Sequence, residues 1–504
     1  MTIIRRLDRA LGALTMYKLV LGMLVALAAL ALVLSLLGGV SYAPLAILAS
    51  IAIAVLVSIA TTWVVGRAFG SRPHLESSII TGLLLVFVLV PSLEAANLIG
   101  LTVAAVVANA SKYLIAVRGR HIFNPAAFGA LIVTATGLTY SGWWVSTPAM
   151  LPLVAIGALL ILHRTRRLLM GLTFVVTVVA IDVVLAFTRG FGAADGLSLA
   201  LLGTATVFFA GFMLSEPLTL PPRRWQQLVL AVVVAALFAI PFSVWVLYSS
   251  PQLALVIGNL LAFLVGQRRG VRLTLLAKEQ LTPSTWQFAF RPARPVFFHP
   301  GQYMELGLPH AKADVRGQRR IFSISSAPGP DAPLTVAIKV SDRSSSFKTA
   351  MLELEPGATV TATSVGGDFL LPADPAVPVL LVAGGIGITP FASQLAHSTS
   401  QGLDRDIVVL YAVAAGEELA YREQLAASGA RVFVVAPSAP ADLPADWEYA
   451  GPRRIDADLL RDAVPDLADR HAFVSGSPEL VGSVRRALRT VKARRVSTDY
   501  FSGY

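Results

Sequence analysis

The 504-residue chain contains no cysteine. This absence excludes disulfide bonds, so the chain shows no sign of the cross-links that small extracellular domains use. It also excludes cysteine-ligated iron–sulfur clusters, thioether-linked haem and thiolate zinc sites within this chain. We therefore expect its redox chemistry, if any, to use an organic cofactor or histidine-ligated haem, and we predict no metal site.

Charged residues are scarce as well. They make up 14% of the chain, against 55% hydrophobic residues, and the mean hydropathy is +0.69. A soluble globular domain has about 25% charged residues, so part of this chain is expected to be solvated by lipid. The net charge of +11 could indicate nucleic-acid binding, but the cations stand in pairs and triplets between apolar runs. That distribution is typical of membrane topology and contact with membrane lipid, so we expect no nucleic-acid partner.

Ten apolar segments precede residue 268, and we interpret them as about ten transmembrane helices. The first follows a short basic stretch without a convincing cleavage site, so we expect it to be a helix of the protein and not a signal peptide. The segments are residues 19–37, 44–65, 78–90, 93–108, 123–138, 148–162, 168–187, 198–214, 226–246 and 253–265.

The loops between these segments carry their cations on alternate sides. The basic loops contain, in order, Arg67 and Arg72; Lys112, Arg118 and Arg120; Arg164, Arg166 and Arg167; Arg223 and Arg224; and Arg268 and Arg269. The opposite loops contain Arg189 as an exception, together with the aromatic residues Trp143 and Trp144. Because basic loops face the cytoplasm, we predict a multi-pass protein of the cell membrane with both termini in the cytoplasm.

The composition changes near residue 270 to that of a soluble protein. Short strands divided by Pro and Gly predict an antiparallel β-barrel over residues 271–375. Compact apolar strands that alternate with helices predict a Rossmann-like α/β domain over residues 376–504. The chain is thus predicted to have three domains, with a helical membrane domain over residues 1–270.

Two motifs in the predicted barrel suit a flavin dinucleotide. Arg320, Phe322 and Ser323 alternate along one strand, where the Arg can neutralise a pyrophosphate, the ring can stack on the flavin and the hydroxyl can bond near its reactive nitrogen. Lys339 precedes a helix start that contains Ser345 and Ser346, a candidate phosphate site. Each motif alone has an ordinary structural explanation as surface, core or helix cap.

Two further motifs belong to the α/β domain. Gly384, Gly385 and Gly387 form a strand-to-helix turn that ends in Thr389-Pro390, which lets the backbone approach a pyrophosphate. Ser475-Gly476-Ser477-Pro478 follows a later strand and can border a nicotinamide. The chain closes with the aromatic residues Phe501 and Tyr504, which can shield a flavin.

These four motifs, in this order, resemble those of the ferredoxin–NADP reductase superfamily over residues 271–504. Phe322 stands where the family commonly has Tyr, and Ser475 where it often has Cys. The resemblance implies hydride transfer from NADH or NADPH to FAD, with Ser323, Ser475 and Tyr504 closest to the reaction. After the strand at 407–412, Glu417 and Glu418 favour NADH, although the choice stays open.

Three stretches of the membrane half resemble the RnfD/NqrB family of flavin-carrying membrane subunits, namely residues 76–91, 112–129 and 208–219 of a region from about 15 to 265. The resemblance implies FMN or riboflavin near the helix break at Asn124-Pro125, and we expect it to be non-covalent. That family often links FMN covalently to a Thr. Thr147 is the candidate here, but it lacks the surrounding Asp-x-x-Ser-x-Ala-Thr pattern.

Several alternatives stay open. A haem-containing reductase of the ferric-reductase or NADPH-oxidase type needs paired histidines within helices, but His74, His121 and His163 lie at loops or helix ends. A transporter with a nucleotide-sensing domain is a second alternative, and Asp182 within an apolar helix suits either ion or proton binding or a structural hydrogen bond. A third is NADH:quinone reduction on the cytoplasmic side.

The preferred hypothesis is a single-chain transmembrane electron conduit. In it, NAD(P)H reduces FAD in the cytosolic module, and a flavin between the membrane helices receives the electrons. An acceptor outside the cytosol, such as a flavinylated protein or a quinone, then takes them up.

Overall fold

The structure is a computed structural model. It describes residues 16–69, 75–117, 120–244, 247–266, 270–310, 314, 318–341 and 344–500. The chain divides into two compact units, Met1–Arg268 and Arg269–Tyr504.

The first unit is built from apolar helices. In chain order they are α1 (Met16–Leu36), α2 (Pro44–Ala68), α3 (Leu75–Val88), α4 (Ala95–Leu114), α5 (Pro125–Ala135), α6 (Leu151–Arg164), α7 (Leu168–Thr188), α8 (Ala193–Ser198), α9 (Thr206–Phe208), α10 (Arg224–Ala239) and α11 (Pro251–Val265). Two short hairpins lie among them, β1 (Ala116–Val117) with β2 (Arg120–His121) and β3 (Ser243–Val244) with β4 (Leu247–Tyr248).

The prediction of ten spanning helices is not confirmed. Within the described ranges, four helices are long and apolar enough to cross a membrane, namely α1, α2, α4 and α7, and one bent pair gives a fifth candidate. The remaining apolar helices, α3, α5, α6, α10 and α11, have 10–17 residues. Proline explains one shortening, since Ile240 takes an extended conformation (ψ 120°) before Pro241 and ends α10.

The segment predicted at 198–214 is broken and not continuous. A π-helical turn, Leu199–Gly203, extends α8, and a second one, Phe209–Met213, extends α9. The two halves meet at an angle of 56°. Thr204 between them has extended dihedral angles (φ −125°, ψ 161°), so the helical hydrogen-bond ladder stops there.

Small residues allow the helices of the first unit to pack closely. A Cβ atom on Gly129 would lie 2.5 Å from the Ala104 carbonyl oxygen, and one on Gly211 would lie 2.5 Å from the Ala158 Cα. Such backbone-to-backbone contacts are usual between helices in lipid, where packing and not the hydrophobic effect drives association.

The second unit begins with a six-stranded antiparallel sheet and one helix, α12 (Ser346–Leu352). The strands are β5 (Val271–Thr282), β6 (Thr285–Pro292), β7 (Tyr303–Gly307), β8 (Arg319–Ser323), β9 (Leu334–Lys339) and β10 (Thr359–Gly366), in the spatial order β8-β7-β10-β5-β6-β9. Just beyond β8, the Ser325 N–H donates to the Thr335 carbonyl (2.9 Å) and draws the two edges together. Closure into the predicted barrel by paired strands is not confirmed.

A parallel sheet follows, as the α/β prediction requires. Its strands are β11 (Val379–Gly384), β12 (Ile407–Ala412), β13 (Arg431–Val435), β14 (Glu448–Tyr449), β15 (His471–Gly476) and β16 (Arg495–Tyr500). Its helices are α13 (Thr389–Ser400), α14 (Arg422–Ala426), α15 (Ala457–Ala463) and α16 (Pro478–Thr490). The strand order β14-β13-β12-β11-β15-β16 reverses between β11 and β15, which is where open α/β sheets bind their ligands.

Candidate functional site

Two glycine turns meet at the point where the strand order reverses. β11 and β15 are paired neighbours, and each runs directly into a turn at its carboxyl end. A Cβ atom on Gly387 would lie 2.5 Å from the Ser475 carbonyl oxygen and 2.7 Å from the Gly476 Cα. The two backbones therefore touch at a position that admits only glycine.

The turn after β11 leads into α13. Gly385 has φ +52°, a conformation that glycine adopts without strain, and the Thr389 hydroxyl donates to the Ile386 carbonyl (3.0 Å). The first N–H groups of α13 thus lie beside the crevice between β11 and β15, an environment that favours a pyrophosphate. Thr389 and Pro390 occupy the first two helical positions, as a helix start requires.

The hydroxyl group of Ser475 lies next to this crevice. Its side chain is fully buried, and within the described part of the chain its Oγ has no hydrogen-bond partner. A buried hydroxyl without a partner is costly unless a ligand completes it. Gly476 follows with φ +152°, and α16 then starts at Pro478, where the Ser477 hydroxyl accepts from the Leu480 N–H (3.3 Å). The site therefore fits a polar nicotinamide ring.

Arg320 lies at the centre of a second cluster, on β8 of the antiparallel sheet. Its side chain is 8% exposed, and its Nη2 lies 3.0 Å from the Asp314 Oδ1. The guanidinium stands over the Phe347 ring at 5.4 Å, and the Phe322 ring lies 5.7 Å from that same ring. The structure thus joins the Arg and Phe of the flavin motif to the start of α12.

The donors of this cluster suit an anion. The Ser346 N–H donates to the Asp314 Oδ2 (3.3 Å), while the Asp314 N–H donates to the Ser346 Oγ (2.9 Å). One carboxylate therefore accepts from both Arg320 and the Ser346 backbone. A pyrophosphate oxygen would need these same donors, so the residues fit FAD. The sequence motifs do not reveal Asp314, because none of them includes it.

The other predicted flavin residues lie apart from Arg320 or have a structural role. Ser345 caps α12 by accepting from the Lys348 N–H (3.4 Å), and Lys339 points to Glu418, with 3.6 Å between Nζ and Oε2. Ser323 is buried on β8, where it pairs with Tyr303. Phe501 and Tyr504 lie outside the described residues, so their predicted role stays a prediction.

Glu418 corrects one argument for NADH. Its Oε2 accepts hydrogen bonds from the hydroxyls of Thr282 (3.1 Å) and Ser284, both on the antiparallel sheet side. With Lys339 close by as well, the carboxylate is held by that sheet and is not free to bind a ribose. These contacts give Glu418 a structural role, and the preference for NADH, which rests on Glu417 and on the lack of Arg or Lys after β12, stays a prediction.

In the first unit, the structure brings together the three stretches that resemble the membrane flavoproteins. Lys112 donates to the Ser77 carbonyl (3.1 Å), which links the second stretch to the first. Arg120 donates to the carbonyl oxygens of Pro217 (2.9 Å) and Leu218 (2.6 Å), which links the second to the third. The His121 Nε2 lies 2.8 Å from the Glu216 Oε1.

Asn124 stabilises the predicted helix break by three hydrogen bonds. Its Oδ1 accepts from the Ala127 N–H (3.0 Å) and caps α5, while its Nδ2 donates to the Met213 carbonyl (3.5 Å). Its own N–H donates to the Asn259 Oδ1 (2.7 Å). Pro125 takes the first helical position, where no N–H is needed. Asn259 was not predicted, although a lone amide in an apolar helix could have signalled it.

Buried acceptors near these stretches lack partners. Within the described ranges, Oε2 of Glu76, Oε2 of Glu216 and Oγ1 of Thr147 are buried without a hydrogen bond. Buried orphan oxygens are usual where a ligand or proton completes the bonding. The contact between His121 and Glu216 occupies the nitrogen that a haem iron would need, and His163 ends α6, so their positions do not support a haem pair; His74 lies outside the described residues.

A separate cavity of about 360 Å³ lies between α7, α8 and α10. Asp182 lines it together with Arg189 and Asp195. Asp182 is 4% exposed, and its Oδ2 has no partner in the described part of the chain. The sequence left open whether Asp182 makes a structural hydrogen bond, and its Oδ2 makes none within the described residues.

Comparison with known proteins identifies the second unit. Residues 381–486, which contain both glycine turns, match the family model of the oxidoreductase NAD-binding domain. The flavohemoprotein of Bordetella pertussis is 28% identical over 217 residues, 40% of this chain and 52% of that protein. Ferredoxin–NADP reductase B of Sorangium cellulosum is 32% identical over 157 residues, 30% of this chain and 62% of that protein. The second unit contains a reductase module of the ferredoxin–NADP reductase type.

The reductase module is an NAD(P)H-dependent flavin oxidoreductase. Its relatives support the binding of FAD and NAD(P)H. The chain spans about half the length of the first of these relatives. A crystal structure of a ferredoxin NADP+ reductase from Neisseria gonorrhoeae with bound FAD and NADP is 20% identical, with a TM-score of 0.39, and the match covers 47% of this chain and 99% of that chain.

Proposed function

We propose that the whole chain carries electrons from cytosolic NAD(P)H across a membrane. The electrons pass from FAD in the reductase module to a second flavin, FMN or riboflavin, in the first unit, and from there to an acceptor outside the cytosol. The observation that carries this proposal is the convergence of three separate stretches of the first unit on one buried polar cluster.

The reductase module orients both reactants. The crevice between the carboxyl ends of β11 and β15 would hold the NAD(P)H pyrophosphate beside the start of α13, and the Ser475 hydroxyl would bond the nicotinamide amide. Arg320 and the Ser346 N–H would hold the FAD pyrophosphate, and Phe322 would pack against the ring system. FAD supplies the chemistry, since it accepts a hydride and can release electrons one at a time.

The first unit has features that suit a membrane flavin. Span-length apolar helices and cations concentrated in alternate loops, with Arg189 as the exception, support a location in the cell membrane. The break at Asn124-Pro125 is held by side chains, and irregular backbone within a membrane is tolerated where it is buried in protein or lines a cavity. The unpartnered oxygens of Glu76 and Glu216 suit the N–H groups of a flavin ring or a transferred proton.

Flavin analysis of the purified full-length chain tests this relay. We expect two flavins per chain, one FAD and one FMN or riboflavin. Arg320→Ala removes charge-assisted hydrogen bonds worth about 1.5–3 kcal/mol, so it should weaken FAD binding roughly 10- to 100-fold and leave the second flavin in place. Arg291→Ala, at an exposed position of the same module, is the matched control and should lose neither.

Two results would contradict the proposal or refine it. A single flavin per chain, with no other chromophore, leaves an anchored NAD(P)H dehydrogenase without a relay. Mass spectrometry of the Thr147 peptide separates the two modes of attachment: a flavin mass increment shows a covalent link, whereas the unmodified mass agrees with the expected non-covalent binding.

A further inference from the structure

A patch of positive charge covers one end of the reductase module. Between Leu480 and Thr498 the chain has six cations and no acidic residue, namely Arg485, Arg486, Arg489, Lys492, Arg494 and Arg495. We call these six residues the basic patch. All are exposed except Arg486, which is half-buried. The ion pairs that the structure describes in this unit use other cations, so no described acidic residue forms an ion pair with the patch.

The basic patch does not belong to the nucleotide site. α16 starts at Pro478 beside the glycine turns and runs back along the sheet, so its last turn lies at the amino ends of the strands. Arg495 opens β16 and pairs with His471, the first residue of β15. The glycine turns are at the carboxyl ends of the same parallel strands, so most of the patch lies at the opposite edge and cannot serve the cofactor phosphates.

Lys492 is an independent sign that charge is needed here. It follows α16 with φ +58°, and the helix ends by a hydrogen bond from the Ala493 N–H to the Leu488 carbonyl (2.9 Å). This left-handed position after a helix normally holds glycine, because other residues are strained there. A lysine at this position has a more strained backbone than glycine would have, and its side chain adds one cation to the basic patch.

We propose that the basic patch binds anionic lipid headgroups and holds the reductase module against the membrane surface. This inference rests on the proposed location of the first unit in the membrane. Five residues separate Val265, the end of α11, from Val271, so these two residues are at most about 22 Å apart. A module so tethered is always near lipid, whereas a soluble acidic partner would have to be captured from solution. Clustered Lys and Arg beside a membrane helix are the usual means of binding anionic lipid.

Hydrogen exchange of the full-length chain in lipid nanodiscs tests the proposal. Discs of phosphatidylcholine are compared with discs that also contain phosphatidylserine, and exchange is followed in the peptides that cover residues 480–498. We expect slower exchange in the anionic discs, with protection that disappears at high salt because surface charges are screened.

Substitutions separate charge from structure. Arg489→Gln with Arg494→Gln should raise the phosphatidylserine fraction needed for half-maximal protection, because each charge lost weakens lipid binding by about fivefold. Lys492→Gly should raise it too, although glycine relieves the backbone strain and should not lower the Tm. Arg291→Gln with Arg454→Gln removes two exposed cations outside the patch and is the matched control.

The outcomes distinguish this inference from the proposed function. Equal exchange in neutral and anionic discs, in a chain that stays embedded and keeps both flavins, overturns the lipid contact alone. Protection in neutral discs that appears only after an acidic protein is added also overturns it, since the patch would then serve a protein partner. A chain that does not integrate into discs at all would overturn the membrane location itself.

Discussion

Gly387 shows most clearly how one residue sets the geometry of the nucleotide site. The backbone of the second glycine turn occupies the space that a Cβ atom would need, and neither partner is a flexible side chain. Any side chain at this position must push β11 and β15 apart at their carboxyl ends. The crevice between those ends is the place where NAD(P)H is expected to bind.

Gly387→Ala should therefore lower kcat/KM for NADH by about tenfold or more, since overpacking of this kind costs about 1–3 kcal/mol. Turnover with ferricyanide as a soluble acceptor measures this effect, and FAD content should be unchanged because Arg320 lies on the other sheet. Gly482→Ala is the matched control, because a Cβ atom there meets nothing within 4 Å. Unchanged NADH kinetics in Gly387→Ala would place the nucleotide elsewhere.

Arg470 makes the α/β sheet sensitive to acid. The side chain is 1% exposed, and its guanidinium bonds the carboxylates of Asp466 and Asp406 (both 2.6 Å from Nη2) as well as the Val379 carbonyl (3.3 Å) at the start of β11. The hydrogen bond from Arg470 lowers the pKa of Asp466 below its ordinary value. This carboxylate contributes stability above the unfolded-state pKa of about 4, and the contribution is lost as the pH falls through the lower folded-state pKa.

Asp466→Asn should consequently lower the Tm of the reductase module at pH 7 and reduce the loss of Tm between pH 5 and pH 3. Thermal melting of the variant and the parent across that range provides the measurement. Asp458→Asn is the control, since Asp458 pairs with Arg461 in an exposed position where ion pairs contribute little. A parent chain whose Tm falls no more steeply than that of Asp466→Asn would show that this pair is not the acid-sensitive contact.

At the scale of secondary-structure elements, the sequence predicts one of two helix breaks in the first unit and not the other. The break before α5 follows from Asn124-Pro125, because Asn caps a helix and Pro opens one. The break between α8 and α9 was missed. Thr204 carries no comparable sequence signal, and in the structure its hydroxyl bonds the Ala200 carbonyl (3.0 Å) and the Thr206 hydroxyl (2.7 Å) at the break.

Asn124→Ala and Ser250→Ala compare two helix caps in the same unit. Each substitution removes a cap, which costs about 1 kcal/mol. Asn124→Ala also removes the bond to the Met213 carbonyl, so we expect it to lose the second flavin, whereas Ser250→Ala should keep it. Thermal unfolding and flavin content of both variants provide the measurement. Loss of the second flavin in both, or in neither, would separate the flavin from the Asn124 cluster.

The candidate sites also show where sequence reasoning stops. Arg320, Phe322 and the glycine turns are predictable, since strand alternation and turn chemistry are local. Asp314 and Asn259 are not, because their roles arise from contacts across many residues. The same holds for Glu418, because its neighbours along the chain suggest a ribose contact, while its partners in the structure come from β5 and the turn that follows.

At the scale of the whole molecule, hydropathy predicts the division of the chain better than the number of spans. The change in composition near residue 270 agrees with the boundary between the two units at Arg268. The predicted count of ten spans is not confirmed, because hydropathy scores apolar residues and not helix length. It cannot distinguish a helix of spanning length such as α7 from a shorter apolar helix such as α5, whose ends are set by Asn124 and a turn after Ala135.

The proposed function makes the two units parts of one electron path. The reductase module accounts for NAD(P)H oxidation by itself, and it does not require the buried polar cluster of the first unit. A path through that cluster gives the first unit a chemical role and places the acceptor on the far side of the membrane. Quinone reduction on the cytoplasmic side would use the same module without such a path.

Electron transfer into sealed liposomes tests this central claim most directly. The full-length chain is reconstituted with its reductase module outside, NADH is added outside, and a membrane-impermeant acceptor is enclosed inside. The account predicts reduction of the enclosed acceptor, lost in Arg320→Ala and in Asn124→Ala but kept in Arg291→Ala. Steady NADH oxidation that reduces only acceptors on the outer side, with the enclosed acceptor unchanged, would contradict it.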